Sequence, residues 1–275
     1  MRAVILAGAL AALLTAPVPG WGAEAPDSCV SCHAEEEDSD LSAPVEEWRR
    51  SVHAEAEVSC DGCHGGNPYE EDEELSMDDG EAGFLGAPGW TDVSEFCGAC
   101  HEEILDAYRQ SVMGTNIEAG EKAAVCTTCH MRDGHAIPHA DPREILTEEH
   151  CGECHEASRA IALRDLLEET GGRIEAARAG LDGVSRIIDV SRLDREVKEI
   201  RQRAVVIAHT YDRERIAEFA AVAHARLDAV AAETRELEGE AAFRRRVGFG
   251  VVGALLLILV GVVGLSRNLE ERGSL

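Results

Sequence analysis

Five copies of Cys-x-x-Cys-His account for all ten cysteines of the chain: Cys29, Cys32 and His33; Cys60, Cys63 and His64; Cys97, Cys100 and His101; Cys126, Cys129 and His130; Cys151, Cys154 and His155. Thiols three positions apart can form thioethers with the two vinyl groups on one edge of a haem, and the next residue then lies under the ring as proximal iron ligand. Zinc sites and disulfide redox motifs also use Cys-x-x-Cys. Neither explains a histidine after every pair with no cysteine left over. The sequence is therefore read as attaching five haem c groups covalently, with His33, His64, His101, His130 and His155 as proximal ligands.

Six other histidines remain for the opposite faces of the irons: His53, His135, His139, His150, His209 and His224. Met113 adds a thioether. Histidine on both faces makes an iron a low-spin relay, whereas methionine raises its potential. His53 has the clearest pattern, because Trp48-Arg49-Arg50-Ser51-Val52-His53 recurs as Tyr108-Arg109-Gln110-Ser111-Val112-Met113 with His and Met in one slot. His135 and His139 follow the fourth motif, and at least one is expected to ligate. His150 abuts the fifth motif and is placed to face a neighbouring haem. His209 is favoured as a ligand by its apolar face, and His224, in an alanine-rich stretch, is read as a packed or solvent-facing side chain. Both are expected on one helix, fifteen residues or about 22 Å apart, too far to cap the same haem.

These groups need a scaffold outside the cytoplasm, where haem is joined to thiols. Met1-Arg2, an apolar run from Ala3 to Leu14, then Pro17, Pro19 and small residues near Ala23 predict a signal peptide over 1–23. The haem region spans 24–155, and from residue 29 to 155 it allots about 25 residues to each haem, too little for an ordinary apolar core. Haems must supply most of it, among short helices and loops with little strand. After Pro142 there is no proline. Apolar residues at helical spacing, among them Leu163, Leu166, Ile174, Leu181, Val184 and Ile188, predict a long helical hairpin over 156–243 that supplies distal ligands. Gly171-Gly172 is a potential kink, and Asp189 to Ser191 is the turn. The second helix is expected to run on into an uncharged segment, Val247 to Leu265, flanked by Arg244, Arg245, Arg246 and Arg267. That segment fits one transmembrane helix, with 266–275 as a cytoplasmic tail. The fold expected is thus mainly α, a haem-packed cytochrome region followed by a hairpin and a C-terminal membrane helix.

The net charge of -27 is unevenly spread. Between Glu24 and Asp106 there are 25 Asp and Glu against Arg49 and Arg50 alone. Runs such as Glu35 to Asp38 and Glu70 to Glu74 read as solvated loop, with steering of a basic partner as the sharper alternative. Such a surface repels phosphate, which argues against nucleic acid.

The five motifs, the Trp48-x-x-Ser51-x-His53 element, the Cys129-His130-Met131 sequence and the helical tail with His209 resemble multihaem cytochromes c. The relevant set spans the NapC/NirT and NrfH quinol dehydrogenases, the pentahaem nitrite reductases and the hydroxylamine oxidoreductases. The resemblance implies a mostly helical protein whose ordered haems conduct electrons. No Cys-x-x-Cys-Lys occurs, unlike the catalytic site of the nitrite reductases. The anchor is C-terminal, unlike that of the quinol dehydrogenases, which counts against direct quinol oxidation. The cross-linked tyrosine of the hydroxylamine oxidoreductases has only Tyr69, Tyr108 and Tyr211 as counterparts here. The expectation is a single-pass inner-membrane cytochrome of anaerobic respiration with its haem domain in the periplasm. It would carry electrons between a quinol-linked membrane donor or partner subunit and a periplasmic redox protein, as an electron-transfer subunit more than a catalyst on its own. The alternative is an oxidoreductase with one open haem acting on hydroxylamine or on a nitrogen or sulfur oxyanion.

Overall fold

The computed structural model describes residues 27–131, 134–152 and 155–273, with side chains as far as residue 264. The expected signal peptide and Cys154 lie outside these residues. Among them all regular structure is helical, as expected. Contacts divide the chain into two compact units.

The first unit comprises the chain up to Trp90 together with Met131–His139. Its helices are α1 (Ser28–Ala34), α2 (Ser39–Trp48), α3 (Val52–Glu55), α4 (Asp61–His64) and α5 (Glu73–Ser76). None exceeds three turns, so side chains must satisfy the N–H groups at their starts. The Asp27, Asp38, Ser51 and Asp72 side chains do so. Part of the acidic excess therefore has a local role, since Asp38 and Asp72 belong to the two acidic runs. The apolar core is thin: Val45 is the one fully buried hydrophobic residue among those described in this unit.

The second unit comprises Thr91–His130 and the chain from Ala140 onward. It begins with α6 (Val93–Gly98), α7 (Glu102–Arg109), α8 (Val112–Glu118), α9 (Cys126–His130), α10 (Pro142–Ile145) and α11 (Glu148–Cys151). Three long helices follow: α12 (Ser158–Ser185), α13 (Ser191–Ala208) and α14 (Arg213–Gly273). α12 runs unbroken through Gly171-Gly172. The expected hairpin is instead a bundle of three helices, because the chain stops after Ala208. Tyr211 there takes a left-handed φ of 50°, and the Asp212 carboxylate accepts from Glu214 and Arg215 N–H to start α14. His209 and His224 accordingly lie on different sides of a turn, not on one helix.

The bundle closes around Ile174, Leu181, Leu193, Val197, Ile200, Leu227 and Val230, all nearly inaccessible. α12 and α14 run parallel, since Thr170, Arg173 and Ile187 each meet a residue 54, 55 and 57 positions later. A second cluster of Leu146, Ala160, Leu163 and Ile216 fastens α10 and α11 to one end of the bundle. At the other end α14 continues as one helix into an apolar stretch with no buried residue, long enough to cross a membrane.

Candidate haem sites

The first four motifs fold as helical turns, which places residues i, i+3 and i+4 on one face. The first lies within α1 and the fourth is α9 itself. In the second, third and fifth, the histidine N–H donates to the carbonyl of the first cysteine, at 2.8, 3.1 and 3.2 Å for His64, His101 and His155. In the four motifs whose cysteines are all among the described residues, both thiols and the imidazole can thus address the same ring edge and face. Gly98 inside the third motif is required by space, because a Cβ there would meet Leu105 Cδ2 at 2.3 Å.

The motifs are neighbours within each unit. Burial and then Asp27, followed by Cys60, push the Cys29 thiol up to about 12, and burial and Asp27 push Cys60 to about 11. Cys126 is drawn down to about 7 by a hydrogen bond from Cys97, and Cys129 is raised by burial and by Cys151. The thiols of motifs one and two therefore adjoin, as do those of three and four and of four and five.

The structure also brings some of the distal candidates to motif histidines and leaves others apart. Two pairs of rings lie close: His64 and His135 with centres 6.1 Å apart and planes tilted by 40°, and His130 and His209 with centres 6.0 Å apart and planes 19° from parallel. Two imidazoles bound to opposite faces of one metal, each by a nitrogen about 2 Å away, have ring centres roughly 6 Å apart. Both pairs join a motif histidine to a distal candidate, so the residues fit an iron held between them. Ligation further requires a neutral ring with a free nitrogen. Burial and neighbouring rings hold His130, His135 and His209 below the usual histidine range, so they are neutral at neutral pH. His64 Nδ1–H donates to the Gly86 carbonyl at 2.9 Å, and His209 Nδ1–H to the Val205 carbonyl at 2.8 Å. Each bond fixes the proton on Nδ1 and leaves Nε2 for a metal.

His150 fits by a different observation. Thr147 Oγ1 lies 2.9 Å from its Nδ1 and also accepts its backbone N–H, while its Nε2 is buried with no hydrogen-bond partner. A buried, unpartnered nitrogen is costly unless something absent from the polypeptide meets it. His139 differs again: exposed, it donates from Nε2 to Glu55 at 3.2 Å and is not brought to any motif histidine among the described contacts. Of the two histidines after the fourth motif, His135 is the one the fold presents. His224 is held against α12. The Thr170 hydroxyl donates to the Leu166 carbonyl, so His224 Nε2–H must donate to Thr170 and is occupied.

The internal repeat is structural as well. Ser51 and Ser111 are buried and cap α3 and α8 through the N–H groups of Ala54 and Gly114. Trp48 Nε1–H donates to the Val58 carbonyl and Tyr108 O–H to the Ala124 carbonyl, in each case two residues before the next motif's first cysteine. His53 and Met113 both occupy the second position of the capped helix, half-buried. The aromatic–serine element therefore ties each slot to the motif that follows. Sequence reasoning missed the groups that orient the ligands: Thr147, Glu47, which accepts His135 N–H at 2.9 Å, and the carbonyls of Gly86 and Val205. Only Thr147, a helix cap three residues before His150, carries a legible signal.

Residues 52–156 match the family model described as Cytochrome c3. The match spans the second to fifth motifs and leaves out Cys29 to His33 and the bundle. No curated protein and no solved structure matches the chain. The matched segment and its motif turns support a multihaem c-type cytochrome, with covalently bound haem c and a role in electron transfer.

Proposed function

We propose that this is a membrane-anchored periplasmic pentahaem cytochrome that relays electrons between a quinol-linked membrane donor and a periplasmic redox partner. The observation that carries the relay is the pair of facing imidazoles on each of two motif histidines, His64 with His135 and His130 with His209. When bound, haem supplies the one-electron ferric and ferrous couple of its iron. The chain attaches it through the five cysteine pairs, ligates it through His33, His64, His101, His130 and His155, and closes the opposite faces with His135, His209 and His150. His53 and Met113 are the further ligands, from equivalent slots of the repeat. Val205, Gly86 and Thr147 hold the ring orientations.

Adjacent thiols of successive motifs support passage from site to site within each unit. His135 beside His64 and His209 beside His130 would occupy a bound haem iron from a second side, which favours a relay over the open-haem oxidoreductase reading at the second and fourth motifs. The acidic chain from Glu24 to Asp106 supports docking of a basic partner, a contact that weakens as salt screens it. Val247 to Leu265 supports the anchor, and the signal-like N-terminus supports export. Intact mass of the mature membrane protein tests the cofactor count. Five haems are expected, and a mass corresponding to four or fewer removes the pentahaem reading.

A further inference from the structure

Unit two contains both a haem-facing end and the membrane-spanning segment, so the distance between them can be read along α14. The haem-facing end is marked by Ile216, clustered with Leu146, Leu163, Cys151 and Tyr211 beside the fifth motif. Val247 opens the apolar segment. The 31 residues from Ile216 to Val247 lie in one continuous helix, about 46 Å of axis. α14 is not free to fold back over this length. Ala220, Ala223, Leu227, Val230 and Ala241 are buried, Ala223, Leu227 and Val230 in one cluster with residues of α12 and α13, and Arg226 pairs with Glu196 at 3.1 Å and Glu199 at 3.4 Å. Arg173 pairs with Asp228 at 3.1 Å, and Arg192 with Glu233. The turn between α12 and α13 reaches the far end, where Arg244 Nη1 lies 3.5 Å from the Ile187 carbonyl, three residues before the apolar segment. The bundle therefore fills the whole interval between motif and membrane.

We infer that α12, α13 and α14 form a rigid spacer holding the haem sites of unit two about 46 Å from the point where the chain enters the bilayer. These sites then exchange electrons with a protein-bound redox centre that stands at the same height on the water side, and not with a quinol dissolved in the lipid. The inference rests on reading Val247 to Leu265 as a membrane span, and it narrows the quinol-linked donor to a partner protein.

The test uses the full-length, haem-loaded protein in nanodiscs of phosphatidylethanolamine and phosphatidylglycerol. Electron cryo-microscopy is expected to show the three-helix bundle upright, with the Cys126 to His130 turn well clear of the disc. Long-chain menaquinol confined to the disc is expected to leave the haems oxidised when no other protein is added, while dithionite reduces them at once. A bundle lying on the disc, or haem reduction by the confined menaquinol alone, overturns the inference. Protein that fails to enter discs at all removes the membrane-span reading instead, which separates the two failures.

Discussion

The first unit and the three-helix bundle solve the same problem, burying enough surface to fold, with different materials. The bundle does so with its own side chains, layer upon layer from Ile216 to Ala241. The first unit offers Val45 and otherwise buries serines, among them Ser28, Ser51 and Ser76. Short capped helices cannot repay their conformational entropy with so little apolar burial. The difference teaches that haem is a structural component of one region and a passenger of the other. A bound porphyrin would supply there the apolar surface that leucines and valines supply in the bundle.

The largest effect expected from this contrast follows from withholding haem. Apoprotein produced without haem attachment should lose the protection of residues 27–90 and keep a protease-resistant bundle from about Ser158 to Ala241. Hydrogen exchange resolves the two regions, and protected amides in the first unit of the apoprotein would break the comparison. The converse perturbation is Leu181→Ala, which empties a site 2% exposed in the bundle. It should cost about 2–5 kcal/mol of bundle stability in denaturant unfolding while leaving the haem absorption bands unchanged.

Ligand substitutions act on single sites. His209→Ala should convert one haem to a high-spin form that binds carbon monoxide when reduced, whereas His139→Ala should leave every haem as it was. An unchanged spectrum in the first variant would dismiss the His130 pairing. The smallest effects belong to the repeat: Ser51→Ala and Ser111→Ala each remove one helix cap, worth about 1 kcal/mol. Both should loosen the motif that follows, and thermal melts monitored at the haem bands would reveal whether the two slots respond alike.

How much of this was legible in the sequence depended on range. The motifs are local, five residues each, and the sequence alone placed both thiols and the histidine on one turn. The helices after residue 156 were equally plain from their periodicity, as was the apolar end of α14. The break at Tyr211 was not, because Val206 to Thr210 carries no glycine or proline and a left-handed tyrosine leaves no compositional trace. Asp212 was the readable sign, as a cap of the new helix. The choice of His135 over His139 was out of reach for another reason, and so were the contacts that separate His209 from His224. Each turns on a contact between distant parts of the chain: Glu47 with His135, Glu55 with His139, Val205 beneath His209 and Thr170 against His224. The division into two units was hidden likewise, since Met131–His139 rejoins the first unit across forty intervening residues from Thr91 to His130.

The central claim is that facing histidines make this chain a relay. Low-temperature electron paramagnetic resonance together with near-infrared magnetic circular dichroism on the oxidised, haem-loaded protein tests it most directly. The account predicts low-spin ferric haems with at least two bis-histidine centres, one of them lost in His209→Ala and one in His135→Ala. Predominantly high-spin iron, or bis-histidine signals indifferent to both substitutions, would contradict it.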